Sequence, residues 1–214
     1  MQNLIVVTNQ LGAFGTNCYT VYNVDTREAI IIDPASNARF LSNMLVNQRL
    51  NCIGIFLTHG HIDHFEGLTE LLELVGHKVP VYASAEEAEI LGDPRMNLSS
   101  MLSEQMVTVK PDVLLEDEQQ LELLGTTITC KLVPGHTKGG MAYYFEENKY
   151  LFSGDTLFCR SIGRSDFPTG NGIQLVDAIK EKLMVLPDNV TVYPGHNERT
   201  TIAKERDMNP FLDM

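Results

Sequence analysis

The order of apolar runs predicts an α/β protein in which two sheets lie face to face and helices cover their outer sides. Strands open the 214-residue chain, strand–helix alternation follows, and the same succession returns in the second half. Hydrophobic residues make up 43% and charged residues 21%, which excludes a disordered or fibrous chain. No linker, low-complexity run or short repeat divides the sequence. Residues 1–214 therefore read as one domain, long enough to bury a core without staples.

The first quarter contains short strands at residues 4–8, 18–23 and 29–33, separated by turns bearing Gly and Asn. From 36 to 48, Phe40, Leu41, Met44 and Leu45 recur at helical spacing on one face. Residues 52–58 read as a buried strand. Asp63 is expected to cap a helix through Gly76, with Phe65, Leu68, Leu71, Leu72 and Val75 facing inward. A strand at 79–83 and a short helix at 85–91 follow, and 92–105 has little periodicity. Strands are expected at 121–124, 127–133, 141–145 and 150–153, a helix at 172–185 and a closing strand at 190–193.

The formal net charge is −12 with a pI near 4.8. Binding nucleic acid or an anionic membrane needs clustered cations, so neither partner is expected; a small anionic substrate remains open, because a local field can oppose the global one. Protein partners are left open. Cys18, Cys52, Cys130 and Cys159 form no CxxC pair. The first ten residues lack a basic segment followed by a long apolar one, and no apolar stretch is long enough to cross a bilayer. The expectation is a cytoplasmic protein with reduced thiols.

Three of the six histidines lie in one hexapeptide, His59-Gly60-His61-Ile62-Asp63-His64. At ordinary residue frequencies this pattern arises by chance on the order of once in several thousand chains of this length. In an extended loop, residues two apart face the same way, so His59 and His61 can converge on one ion while Asp63 and His64 point towards a second. Gly60 leaves room for the backbone to bend between the pair. Taken alone the hexapeptide could be a solvated polar loop, but the rest of the sequence supplies further ligands. His136, Asp155 and His196 each follow a predicted strand, each directly after a glycine. His77 stands outside this set as an exposed loop residue.

Imidazoles and carboxylates suit zinc, iron or manganese, and seven such groups exceed what one tetrahedral ion can use. The expected cofactors are thus two divalent ions, zinc first and iron or manganese as alternatives. His59, His61 and His136 would hold one, Asp63, His64 and His196 the other, with Asp155 bridging. A hydroxide shared between them would be the nucleophile, and Asp63 could also orient it.

The segments 58–64, 134–137, 154–156 and 195–196, in this order and spacing, resemble the metallo-β-lactamase superfamily over essentially the whole chain. The resemblance implies a four-layer αββα sandwich and the same ligand assignment. It also places Asp33 near the metal site, where it would either hydrogen-bond a ligand histidine or simply end its strand. Class B β-lactamases commonly carry cysteine where this chain has Asp155; Cys159 lies four residues too late to substitute and reads as structural.

The segments 154–158 and 163–167, with Leu186-Pro187 and 193–196, are similar to the hydroxyacylglutathione hydrolases, the glyoxalase II family. That resemblance implies thioester hydrolysis, with S-(2-hydroxyacyl)glutathione such as S-D-lactoylglutathione as the small-molecule substrate. It gives Arg164 the role of holding a carboxylate of the thiol, the alternative being a surface arginine paired with Asp166. The chain ends soon after His196, so the compact type without a C-terminal helical glutathione-binding domain is expected. Residues 163–167 also resemble persulfide dioxygenases, which would place a single iron on His59, His136 and Asp155. Another metallo-hydrolase, acting on a lactone or phosphoester, is the third expectation.

Overall fold

A computed structural model describes residues 3–212; the two residues at each end of the expected 1–214 unit lie outside the described residues. The first sheet runs β1 (Leu4–Leu11), β2 (Thr16–Asn23), β3 (Glu28–Ile32), β4 (Asn51–Phe56), β5 (Val81–Ser84) and β6 (Val113–Leu115), with spatial order following chain order. β1 to β3 pair antiparallel and β3 to β6 parallel. Its connections carry α1 (Ala38–Asn47), α2 (Ile62–Phe65), α3 (Leu68–Val75), α4 (Ala88–Gly92) and α5 (Ser99–Leu102).

The second half supplies β7 (Gln120–Leu123), β8 (Thr126–Leu132), β9 (Met141–Phe145) and β10 (Tyr150–Gly154), then a small hairpin of β11 (Leu157–Phe158) and β12 (Ser161–Ile162). Helix α6 (Gly172–Ala178) continues into a π-helical turn, followed by β13 (Thr191–Pro194), β14 (Thr200–Thr201) and α7 (Ile202–Met208). The second sheet is ordered β14-β13-β10-β9-β8-β7.

Side-chain alternation along the strands creates three apolar layers. In β3, Ala29 and Ile31 face α1 and α3, where they meet Leu41, Leu45, Leu68 and Leu71, whereas Ile30 and Ile32 face the other sheet. In β9, Tyr143 and Phe145 fill the space between the sheets, while Ala142 and Tyr144 pack under α6 and α7 against Leu175 and Ile202. Each large apolar side chain buried this way contributes about 1.5–3 kcal/mol. A buried hydroxyl crosses between the sheets: Tyr143 donates to the Leu57 carbonyl at 2.6 Å. The result is the four-layer αββα order, with the carboxyl ends of β3, β4, β8, β10 and β13 opening onto the same region.

Several local expectations need correction. The single helix from Asp63 to Gly76 is two helices, α2 and α3, and the α2 N-cap is His61, with no side-chain cap. The Gly67 amide donates to the Pro34 and Ala35 carbonyls, at 3.0 and 3.3 Å, which diverts the chain between the helices. Asp63 instead turns its carboxylate inward, where it accepts from the Thr16 hydroxyl at 3.1 Å. α5, β6, β11, β12, β14 and α7 stand where no element is expected. α7 hides its inner face because Glu205 lies there, fully buried, accepting from Thr200 Oγ1, the Arg160 amide and Asn209 Nδ2. Among the described residues no helix is long and apolar enough to cross a membrane.

Candidate metal centre

All seven predicted ligand residues meet at the carboxyl ends of the strands. His59 and His61 follow β4, His136 follows β8, Asp155 follows β10 and His196 follows β13, while Asp63 and His64 enter on α2. His136 Nε2 lies 3.2 Å from His59 Nε2 and 3.0 Å from His61 Nδ1. His64 Nε2 is 3.3 Å from Asp155 Oδ1 and 3.6 Å from Asp63 Oδ2, and His196 Nε2 is 3.3 Å from Asp63 Oδ2. Asp155 sits between the two groups: its Oδ2 is 3.8 Å from His136 Nε2 and 3.5 Å from His196 Nε2. His77 is exposed and remote, its Nε2 bonded to the Cys52 carbonyl.

The outer partners fix which ring nitrogens carry hydrogen. His136 Nδ1 meets the Arg164 carbonyl at 2.6 Å and must donate to it, leaving Nε2 with a bare lone pair. His64 Nδ1 donates to Asp33 Oδ2 at 2.8 Å. Thr58 gives its hydroxyl hydrogen to the same Asp33 oxygen at 2.6 Å, so it accepts from His59 Nδ1 at 3.2 Å. Burial keeps His59 and His136 neutral, so the inward nitrogens of these two rings are acceptors. Together with His64 Nε2 they face one another and two carboxylates, and the buried atoms His61 Nε2, His64 Nε2 and Asp155 Oδ1 have no hydrogen-bond partner.

Converging lone pairs repel unless a cation lies among them. A zinc–nitrogen bond of about 2.0–2.1 Å in a tetrahedron puts ligand atoms about 3.4 Å apart, close to the spacings here. Three ligand groups lie within coordination reach: His59, His61 and His136; Asp63, His64 and His196; and His59, His64 and Asp155. The residues fit a pair of metal ions, and iron or manganese would suit the same donors.

Electrostatics divides the site. Burial, reinforced by the neighbouring histidines, holds His59 well below its usual pKa; burial with His136 brings His61 down to about 3. Burial also lowers His136, outweighing Asp155. In the acidic half burial opposes ionisation but loses: Asp155, Asp63 and Asp33 raise His64, and the hydrogen bond from His196 to Asp63, helped by the Asp155 charge, raises His196. Burial would raise Asp63 and Asp155, yet His64 beside them brings both below the carboxylate norm. Three neutral imidazoles thus adjoin a carboxylate-rich half that demands positive charge.

Contacts that sequence reasoning did not single out hold this geometry. Asn17 Nδ2 donates to the Pro194 and Asn197 carbonyls, both at 2.9 Å, and its amide donates to the Gly195 carbonyl, clamping the His196 loop. Tyr19 donates to the Pro194 carbonyl at 2.6 Å. Gly195 allows close approach: a Cβ there would meet Asp155 Oδ1 and come within 2.7 Å of His64 Cε1. Above the cluster opens a cavity of about 510 Å³, with Phe14, Leu98, Leu102, Phe158 and Phe167 on its walls. Arg164 also lines it, exposed, forked onto Asp166 through Nε and Nη2 at 2.6 Å each and lying 4.1 Å from the Phe167 ring centroid.

The sequence profile of the metallo-beta-lactamase superfamily matches residues 11–196. The chain belongs to that superfamily. Hydroxyacylglutathione hydrolase GloC of Haemophilus influenzae is 33% identical over 212 residues, covering 94% of each chain. Among solved structures, BLEG-1 B3 metallo-beta-lactamase is 38% identical with a TM-score of 0.91, covering 98% of this chain and 100% of that one. TTHA1623, in a di-iron-bound form, is 30% identical with a TM-score of 0.81, covering 97% and 100%. With relatives described as probable metallo-hydrolases at similar identity, the superfamily places this chain among metallo-hydrolases with His and Asp groups suited to binding metal ions.

Proposed function

We propose that the chain hydrolyses thioesters, with S-(2-hydroxyacyl)glutathione such as S-D-lactoylglutathione as the first substrate to test and two divalent ions, zinc first and iron or manganese as alternatives, as cofactors. One observation carries the reading: bare imidazole nitrogens and carboxylate oxygens, with Asp155 between two groups, form the floor of an open cavity. Likeness to GloC supports the choice of thioester.

Bound ions would supply Lewis acidity for the carbonyl oxygen and bring a water's pKa down towards neutrality. His59, His61 and His136 would hold one ion and Asp63, His64 and His196 the other, with Asp155 shared. Asp63 Oδ2, facing the cavity floor, can accept a hydrogen bond from the attacking water and orient it. The apolar walls can pack the methylenes of the thiol. Arg164 can take a carboxylate of the thiol in the same forked geometry that now engages Asp166. Both partners of that pair are exposed, so it is weakly held and exchangeable.

A panel of thioesters, β-lactams, lactones and phosphoesters tests the substrate class, with thiol release expected to be multi-turnover and quenched by chelator. In the same assay Asp166→Asn should lower KM for an anionic thioester roughly threefold and leave a neutral one unchanged, whereas Arg164→Ala should raise KM mainly for the anionic one. Equal effects on both substrates would remove carboxylate recognition by Arg164. A second reading keeps one iron on His59, His136 and Asp155, whose donor atoms adjoin one another. Oxygen uptake that depends on glutathione persulfide, without thioester turnover, would establish it instead.

A further inference from the structure

Glu87 is 1% exposed, closes the short turn after β5 and ligates nothing. A buried carboxylate costs free energy unless its oxygens are satisfied, and this one is surrounded by donors. Its Oε1 accepts from the Gly60 amide at 2.8 Å, and Gly60 stands between His59 and His61. Its Oε2 accepts from Thr137 Oγ1 at 3.0 Å, and Thr137 follows His136. The Gly139 amide also bonds to it. Ser84, one turn earlier, donates to the Gly139 carbonyl at 2.6 Å and receives the Glu87 amide at 3.2 Å. The end of β5 therefore grips a loop from each sheet, and those two loops carry all three residues of the three-histidine group.

We infer that Glu87 is a positioning residue that sets the distance between the His59–His61 loop and the His136 loop, and so fixes the three-histidine metal site. The carboxylate acts through backbone and hydroxyl hydrogens, not by touching an ion or substrate. Asp63, His64 and His196 hang from α2 and the β13 loop, whereas the Glu87 hydrogen bonds to Gly60, Thr137, Gly139 and Ser84 lie on the other loops. Its loss should consequently fall on one metal site rather than on both. The inference rests on the reading of the cluster as a metal-pair site, and the experiment separates the two.

Wild-type and Glu87→Gln proteins are stripped, reloaded with zinc and equilibrated against graded zinc buffers, with zinc per chain counted and histidine-ring nitrogens followed by NMR. Glutamine keeps the volume but turns one acceptor oxygen into a donor facing donors. The expected result is two zincs per chain in wild type and, in Glu87→Gln, roughly 10–100-fold weaker binding confined to His59, His61 and His136, with His196 resonances unchanged. Thr137→Val, which removes a single donor, should shift the same site in the same direction by less, and it carries the test if the glutamine variant does not fold. Unchanged affinity in the variants, or equal weakening at both sites, would overturn the positioning role. A wild-type protein that takes up no zinc, iron or manganese would overturn the metal reading itself.

Discussion

Asp155→Ala should abolish turnover, lowering kcat/KM by on the order of a thousand-fold or more, and should reduce metal uptake at both groups. Asp155 lies within 4 Å of nitrogens from both halves, His136 on one side and His64 and His196 on the other. Its removal deletes the oxygens that lie between the two groups and takes from His64 Nε2 the nearer of its two carboxylates, leaving Asp63 at 3.6 Å. The Asp155 carboxylate faces the His64, His136 and His196 nitrogens, so alanine removes contacts within the cluster itself. The variant should fold, so metal counting beside steady-state kinetics separates loss of the site from loss of the protein. Turnover close to wild type would defeat the assignment of Asp155.

Asp33→Asn should weaken metal binding roughly 10–100-fold and lower the stability of the metal-free protein by about 1–3 kcal/mol. Asp33 is buried at the end of β3 and accepts three hydrogens: the Thr58 amide at 2.8 Å, the Thr58 hydroxyl at 2.6 Å and His64 Nδ1 at 2.8 Å. It thereby fixes the His64 ring and, through Thr58, the tautomer of His59. Asparagine retains one acceptor oxygen and presents a donor to donors. It tolerates the left-handed backbone at this position, φ 52°, so the change isolates the hydrogen bonds from backbone strain. Chelator competition and thermal melting of the stripped protein read the two effects separately. A variant matching wild type in both would place His64 under other control.

The convergence of the seven side chains was legible because chemistry-bearing residues are scarce and sit in short loops directly after strands. His59 to His64 fall within one hexapeptide, and His136, Asp155 and His196 each follow a strand readable from its apolar run. The layers were legible for a related reason: β3 and β9 alternate between two buried faces and read as continuous apolar runs. Residues that act through the backbone left no such trace. Glu87 lies in Ala85-Glu86-Glu87-Ala88-Glu89, which reads as the start of a short helix, and Thr16 and Asn17 precede a strand like many others. Only tertiary placement aims Thr16 at Asp63, Asn17 at the His196 loop and Glu87 at Gly60. The division between α2 and α3 was hidden too, since Phe65, Leu68, Leu71 and Leu72 keep helical spacing across a break set by the Pro34 carbonyl.

The most direct measurement is anomalous diffraction from crystals of the zinc-loaded protein. Two peaks roughly 3.5–4 Å apart are expected, one within bonding distance of His59, His61 and His136, the other of Asp63, His64 and His196, with Asp155 reaching both. A single peak, peaks away from these side chains, or rings turned apart around a metal-free cleft would contradict the account.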